Sequence, residues 1–209
     1  MSLCDDLAHV RWLGGGSGAG KSTVARRLAK AYDVAVYETD ASMSDHAKRC
    51  SSTDCPQLAA FVKMSMDERW VDRAPEVMLK TFPWFNGEAF HLIVDDLLRM
   101  PSDRPIIVEG FRLLPRCVAP LLSASHTAVW LLPTAAFRRH ALEARGSKMA
   151  IPRRTSDPKR ALDNLLKRDE IFTERLGSET AQLGLRAICI DGAHSEADLT
   201  RKVGDIFFA

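Results

Sequence analysis

No segment of this chain is apolar for long enough to cross a membrane, and none repeats or falls to low complexity. An excess of one charge is missing as well. The 29 basic and 27 acidic side chains leave a formal net charge of +2, which argues neither for nor against nucleic acid and makes any positive field local. The first residues lack the charged-then-apolar pattern of a secretion signal, so a cytoplasmic location is expected. Cysteine is sparse and odd in number: Cys4, Cys50, Cys55, Cys117 and Cys189. Cys50 and Cys55 have four residues between them, but no second pair or histidine cluster completes a zinc set, and the expected state is the reduced thiol. What remains is an ordinary globular composition, 46% hydrophobic and 27% charged, long enough for a single domain spanning 1–209 with a substantial core.

Against that plain background one segment stands out. Gly15-Gly16-Ser17-Gly18-Ala19-Gly20-Lys21-Ser22 satisfies the phosphate-binding template G-x-x-x-x-G-K-[ST] at every fixed position, and Thr23 extends it. Glycines there let successive backbone N–H groups turn inward around phosphate oxygens without Cβ clashes. Lys21 then reaches the β and γ phosphates, and the Ser22 hydroxyl is placed to coordinate Mg²⁺. Thr23–Ala31 reads as a helix whose N-terminus faces the anion. Gly14, Gly16 and Ala19 also fit the looser dinucleotide fingerprint, but that reading leaves Lys21-Ser22 unexplained.

Short apolar runs alternate with helical patterns, as in a parallel sheet covered on both faces. The expected strands are Val10–Gly14, Val34–Thr39, Pro105–Glu109, Thr127–Leu132 and Arg186–Ile190. Two insertions interrupt them, about 41–100 and 134–184. In the first, His91–Asp96 imitates a strand ending in two acids. Phe90, Ile93, Val94, Leu97 and Leu98 instead repeat at helical spacing, which predicts a helix with Asp95 and Asp96 on its solvated side. In the second, a helix from Thr134 is expected to stop at Gly146. Another is expected to start at Asp157-Pro158 and to end near Gly177.

The phosphate loop, Glu109 closing the third strand and the arginine-rich segment after the fourth together make the chain resemble a small P-loop kinase of the nucleoside-monophosphate-kinase-like group. That group includes adenylate, cytidylate, shikimate, gluconate and dephospho-coenzyme A kinases and antibiotic phosphotransferases. The resemblance implies a three-layer α/β P-loop NTPase fold with a five-stranded parallel sheet of order 2-3-1-4-5, the insertions forming a helical acceptor lobe and an arginine-rich lid. It also implies ATP and Mg²⁺ as cofactors and a small-molecule phosphoryl acceptor as partner, with no nucleic acid or membrane. The third strand ends in Glu109-Gly110-Phe111-Arg112, where nucleoside monophosphate kinases carry an Asp-Arg pair, so the acceptor stays open between an alcohol and a phosphate.

Site roles follow from these features. Asp40, closing Tyr37-Glu38-Thr39-Asp40, is either the general base or a helix N-cap. Glu109 orders water around the metal or is itself the base. Basic residues dominate from Arg138 to Arg168, a solvated surface or a lid, from which Arg139, Arg145, Arg153 and Arg154 are the catalytic candidates. Similar kinases contact adenine where Asp191-Gly192 stands. In the acceptor lobe, Arg69 and Arg73 lie four apart on an expected helix and suit an acidic group, and Arg112 joins them as a substrate-binding candidate. Trp84 and Phe85 sit between Pro83 and Gly87, where two adjacent aromatics are not expected to share one core. They read as a loop over a ring or hydrocarbon part of the acceptor. The alternative to a kinase is a nucleotide-switched regulatory protein that binds and hydrolyses ATP without any small-molecule acceptor.

Overall fold

The computed structural model describes residues 2–144 and 151–208. Along the chain run α1 (Leu3–Asp6), β1 (Val10–Gly15), α2 (Lys21–Tyr32), β2 (Ala35–Glu38) and α3 (Met43–Arg49). Then come α4 (Pro56–Lys63), α5 (Met66–Trp70), α6 (Pro75–Thr81), α7 (Pro83–Asn86), α8 (Phe90–Arg99) and β3 (Ile106–Glu109). The second half holds α9 (Pro115–Val118), β4 (Ala128–Pro133), α10 (Ala135–Ala144), α11 (Pro158–Gln182), β5 (Ala187–Ile190) and α12 (Glu196–Phe208).

All five expected strands form, within a residue or two of the bounds read from sequence. They pair in parallel in the order β2-β3-β1-β4-β5, the P-loop NTPase arrangement. Alternate side chains of the central strands go to opposite faces. Leu13, Ile107, Val129 and Leu131 pack on α2 and α12 through Val24, Leu28, Val203 and Phe207. Trp12, Val108, Ala128 and Trp130 pack on the other face with Ile93 and Leu97 of α8. Each such large apolar side chain contributes roughly 1.5–3 kcal/mol by leaving water. The chain runs from β1 out to β2, returns to β3 beside β1, and then crosses to β4 and β5 on the other side of β1. The crevice at the carboxyl end of β1 is therefore where a ligand belongs in this topology.

Two helices differ from the sequence reading. In α8, Leu92 is buried and Leu98 is 47% exposed, so the buried stripe is rotated from the expected one. Asp96 consequently turns inward, where Tyr37, His46 and Arg49 bond it. Helix α11 starts as expected, with the Asp157 side chain accepting from the Arg160 amide and Pro158 in the first turn. It does not end near Gly177 but runs 25 residues to Gln182, and the chain reverses at Gly184 with φ +63°. Its stripe of Ala161, Phe172 and Leu176 is buried among the lobe aromatics, so this face of the expected lid segment is core.

Cys50 and Cys55 are not both free thiols: a disulfide joins them across the turn between α3 and α4, with Cα atoms 6.0 Å apart. Among the described residues no helix is long and apolar enough to cross a membrane.

Candidate functional site

The phosphate loop is built from close approaches that side chains would block. Gly15 has φ +130°, and a Cβ there would lie 2.0 Å from the Leu131 carbonyl oxygen, so β1 and β4 meet at this point only through glycine. Gly20, at φ +84°, begins α2 with no side-chain cap, which leaves the first-turn amides open toward the loop. Lys21 is buried and donates from Nζ to the Gly16 carbonyl at 2.8 Å. Burial pushes its ammonium pKa down, while Glu109 and Asp40 pull the other way.

Two carboxylates face this lysine. Strand register sets Glu109 opposite both Leu13 and Glu38, and the Thr39 amide donates to the Glu109 carbonyl at 2.9 Å. Asp40 is thereby brought beside the loop. Gly110 permits that approach: at φ +149° its Cβ would strike Thr39 Oγ1. Ser22 Oγ donates to Glu109 Oε1 at 2.7 Å. Burial raises the Glu109 carboxyl pKa, opposed by the Ser22 bond and by Lys21. Asp40 is exposed to solvent at the mouth of the cleft, but the protein around it still raises its pKa, with Lys21 and Arg112 opposing. Lys21, Ser22, Asp40, Glu109, Gly18 and Arg138 line one pocket of about 390 Å³.

Mg²⁺ fits this donor set. It takes hard oxygen ligands, keeps several waters and needs only one or two carboxylates when phosphates supply the rest. Ser22, Glu109 and Asp40 are such oxygens. Among the described residues no group of three or more His, Cys, Asp or Glu side chains is placed to hold a metal ion.

The arginine facing the loop is Arg138, not Arg139. Arg138 follows the first turn of α10 and covers Gly18, where an added Cβ would come within 3.0 Å of its Nη1. Its Nη2 donates to Asp169 Oδ2 at 2.8 Å, and Arg168 donates to Oδ1 of the same carboxylate at 2.7 Å. Burial alone would raise the Asp169 pKa, but the two guanidiniums hold it below the usual carboxylate range. Arg139 is exposed and lines a separate groove between α10 and α11. Arg153 and Arg154 are exposed on a single 3₁₀ turn, and Arg145 lies outside the described residues. Sequence reasoning did not single out Arg138, Arg168 or Asp169 as a group. One signal was available: Arg168-Asp169 is a charged pair inside the apolar stripe Ala161, Leu165, Phe172, Leu176 of one helix.

A second cavity, of about 470 Å³, opens beside the first and shares Ser17, Phe111 and Arg138 with it. Trp84 and Phe85 both line it, and both are buried in one core, contrary to the reading of the Pro83–Gly87 segment as a covering loop. Pro83–Asn86 form α7, with Trp84 against the Arg112 guanidinium and Phe85 stacked on Phe172 at 3.6 Å between ring centres. Three arginines expected at the acceptor are committed elsewhere. Arg69 donates to the carbonyls of Phe61 and Val62, and Arg73 to those of Glu68 and Arg69 and to Thr81 Oγ1. Arg112 is buried and bonds the Thr39 carbonyl, Ser42, His46 and the Ala89 carbonyl, and burial pulls its pKa down to about 10. None of the three lines the cavity.

Asp191 and Gly192 form a tight turn after β5. The Ala193 amide donates to Asp191 Oδ1 at 2.9 Å, and Gly192 lies against Phe137. Neither residue lines the phosphate pocket or the aromatic cavity.

No protein-family model matches this chain, and no curated protein sequence does. Solved structures similar to it include a gluconokinase from Sinorhizobium meliloti 1021, at 16% identity and TM-score 0.49, covering 96% of this chain and 91% of that one. Another is an uncharacterized protein from Eubacterium ventriosum ATCC 27560, at 15% identity and TM-score 0.44, covering 95% of this chain and 97% of that one.

Proposed function

We propose that this protein is an ATP-dependent phosphotransferase that moves the γ-phosphate to a small-molecule acceptor, an alcohol or a phosphate. The observation that carries the reading is the common wall of Ser17, Phe111 and Arg138 between the phosphate pocket and the aromatic cavity. A nucleotide switch needs only the first pocket. A kinase needs both, adjoining where the phosphoryl group passes.

In this reading the loop amides and Lys21 bind the β and γ phosphates, Lys21 leaving the Gly16 carbonyl to do so. Ser22 and Glu109, with Asp40 through water, would hold Mg²⁺, which when bound would supply positive charge to the phosphates. Asp40, on the open side of the pocket, takes the acceptor hydroxyl proton. Its pKa is raised above the ordinary aspartate value, which makes the ionised carboxylate a stronger base. Arg138 stabilises charge on the transferred group, positioned by Asp169. Arg139, Arg153 and Arg154 are outside this set, since they line neither the phosphate pocket nor the cavity. Asp191-Gly192 stays a proposed contact for the adenine.

The test is ADP formation from Mg-ATP across a panel of alcohols and phosphate monoesters, with Lys21→Ala as the blank. Acceptor-dependent release that the variant lacks supports transfer. Slow release that no acceptor accelerates contradicts it and favours the switch.

A further inference from the structure

The aromatic cavity is built for one kind of molecule. Trp70, Phe82, Trp84, Phe85 and Phe111 give it ring faces and edges rather than hydrogen-bonding groups. The walls brace one another: Phe82 and Phe85 meet edge to face at 74°, and Phe85 and Phe111 at 89°. The backbone is braced too. Arg116 and Arg175 both donate to the Phe85 carbonyl while sharing Glu179 Oε1, which ties α7 to α9 and α11. A polyol entering this space would give up its water partners and find replacements only at the edge formed by Ser17, Arg138, Arg168 and Asp169. A flat ring would bury its faces against rigid aromatic surface.

The polar part of the lining is confined to Ser17 and the charged group Arg138, Arg168 and Asp169. Arg168 is 94% buried, and its guanidinium lies 4.7 to 5.1 Å from the ring centres of Phe82, Phe85 and Trp70. Its Nε and Nη2 are spent on Asp169 Oδ1, at 3.1 and 2.7 Å. Its Nη1 is buried and has no hydrogen-bond partner among the described residues. A desolvated N–H donor on a cation calls for an acceptor oxygen. Charge counts the same way: Asp169 is shared by Arg138 and Arg168, so this corner carries one more positive than negative charge.

We infer that the phosphoryl acceptor is an aromatic hydroxy acid: a flat ring seated among Trp70, Phe82, Trp84, Phe85 and Phe111, a carboxylate on Arg168 Nη1, and a hydroxyl directed toward Asp40. This rests on the phosphotransferase reading for the word acceptor, whereas the fit of cavity to ligand stands on the geometry alone. In the transfer the hydroxyl oxygen bonds to the γ-phosphorus, the bond from that phosphorus to the β–γ bridging oxygen breaks, and the hydroxyl proton goes to Asp40. The products are a phosphate monoester and ADP.

Binding and turnover are measured separately. Probes are 3-phenyllactate, indole-3-lactate, 2-phenylethanol (ring without acid) and gluconate (acid without ring), each titrated by calorimetry with a non-hydrolysable Mg-ATP analogue present. The ring acids are expected to bind, 2-phenylethanol about tenfold more weakly, and gluconate not at all over the same range. Arg168→Lys, which keeps the charge but loses the fork, is expected to erase the preference for the ring acids over 2-phenylethanol. Leu142→Trp, which fills the cavity from α10, is expected to abolish ring binding while the analogue still binds, so misfolding is excluded in the same titration. Gluconate binding as well as the ring acids, no ring acid binding, or an unchanged preference in Arg168→Lys overturns the inference. Ring-acid binding without any ADP formation supports the cavity assignment and contradicts the kinase reading. Phosphorylation of gluconate alone does the reverse.

Discussion

Arg138 donates a 2.8 Å hydrogen bond to Asp169, a carboxylate carried by a different helix and shared with Arg168. The bond fixes a guanidinium over Gly18 before any ligand arrives, so little reorganisation is needed when phosphates occupy the loop.

Arg138→Ala is therefore expected to lower kcat by about 100-fold with a smaller change in the KM for ATP, whereas Arg139→Ala stays within about twofold of wild type. Steady-state kinetics on the two variants checks this. Equal losses would place the catalytic charge elsewhere.

The protein around Asp40 raises its carboxyl pKa, and burial raises that of Glu109. A base acts only when ionised, so kcat/KM is expected to fall as pH drops through a value above the ordinary aspartate range. Asp40→Asn should remove that limb together with most of the rate. A pH–rate profile of wild type and variant reads both effects.

Glu109 carries an opposite sign for stability. Its folded pKa lies above its unfolded one, so at neutral pH the folded state pays to keep it ionised, and that cost fades as pH falls below the raised value. Glu109→Gln is expected to abolish turnover while the melting temperature stays level or rises. A large drop in melting temperature would show that the carboxylate is structural.

Beneath the acceptor lobe, Asp96 accepts from Tyr37 and His46, each at 2.7 Å, and Arg112 donates to His46 Nδ1 at 2.8 Å. With Nδ1 accepting from an arginine, the proton of the neutral ring is on Nε2, facing Asp96. Although burial works the other way, the bonds from His46, Tyr37 and Arg49 hold the Asp96 carboxyl down at about 2. The stability this contributes is fully present above the ordinary aspartate value and lost as pH falls through about 2. It amounts to about 2 kcal/mol. Asp96→Asn should cost that much, a fall of roughly 4–8 °C in melting temperature, without a selective effect on either substrate's KM.

The sheet and the phosphate loop were legible because their signals are contiguous: apolar runs ending in Gly or acid, and eight residues of fixed template. The positive charge at the site was legible as a segment, but not as Arg138. Which of two adjacent arginines turns inward is decided by the packing of α10 on α11, and the deciding residue, Asp169, lies 31 positions away. Arg69, Arg73 and Arg112 misled for a related reason. Helix ends in a lobe of short helices, and the turn after β2, leave carbonyls unpaired, and nearby guanidiniums satisfy them, which spacing does not show. Trp84 and Phe85 both found a core because two different elements supply it: Arg112 beneath one ring and Phe172 of α11 on the other.

The most direct test follows the γ-phosphate itself. The protein is incubated with γ-labelled Mg-ATP and an extract of small metabolites, and the label is traced. The account predicts label in a small-molecule phosphate ester, with none formed by Lys21→Ala. Label found only as inorganic phosphate, released at a rate no metabolite changes, would contradict it.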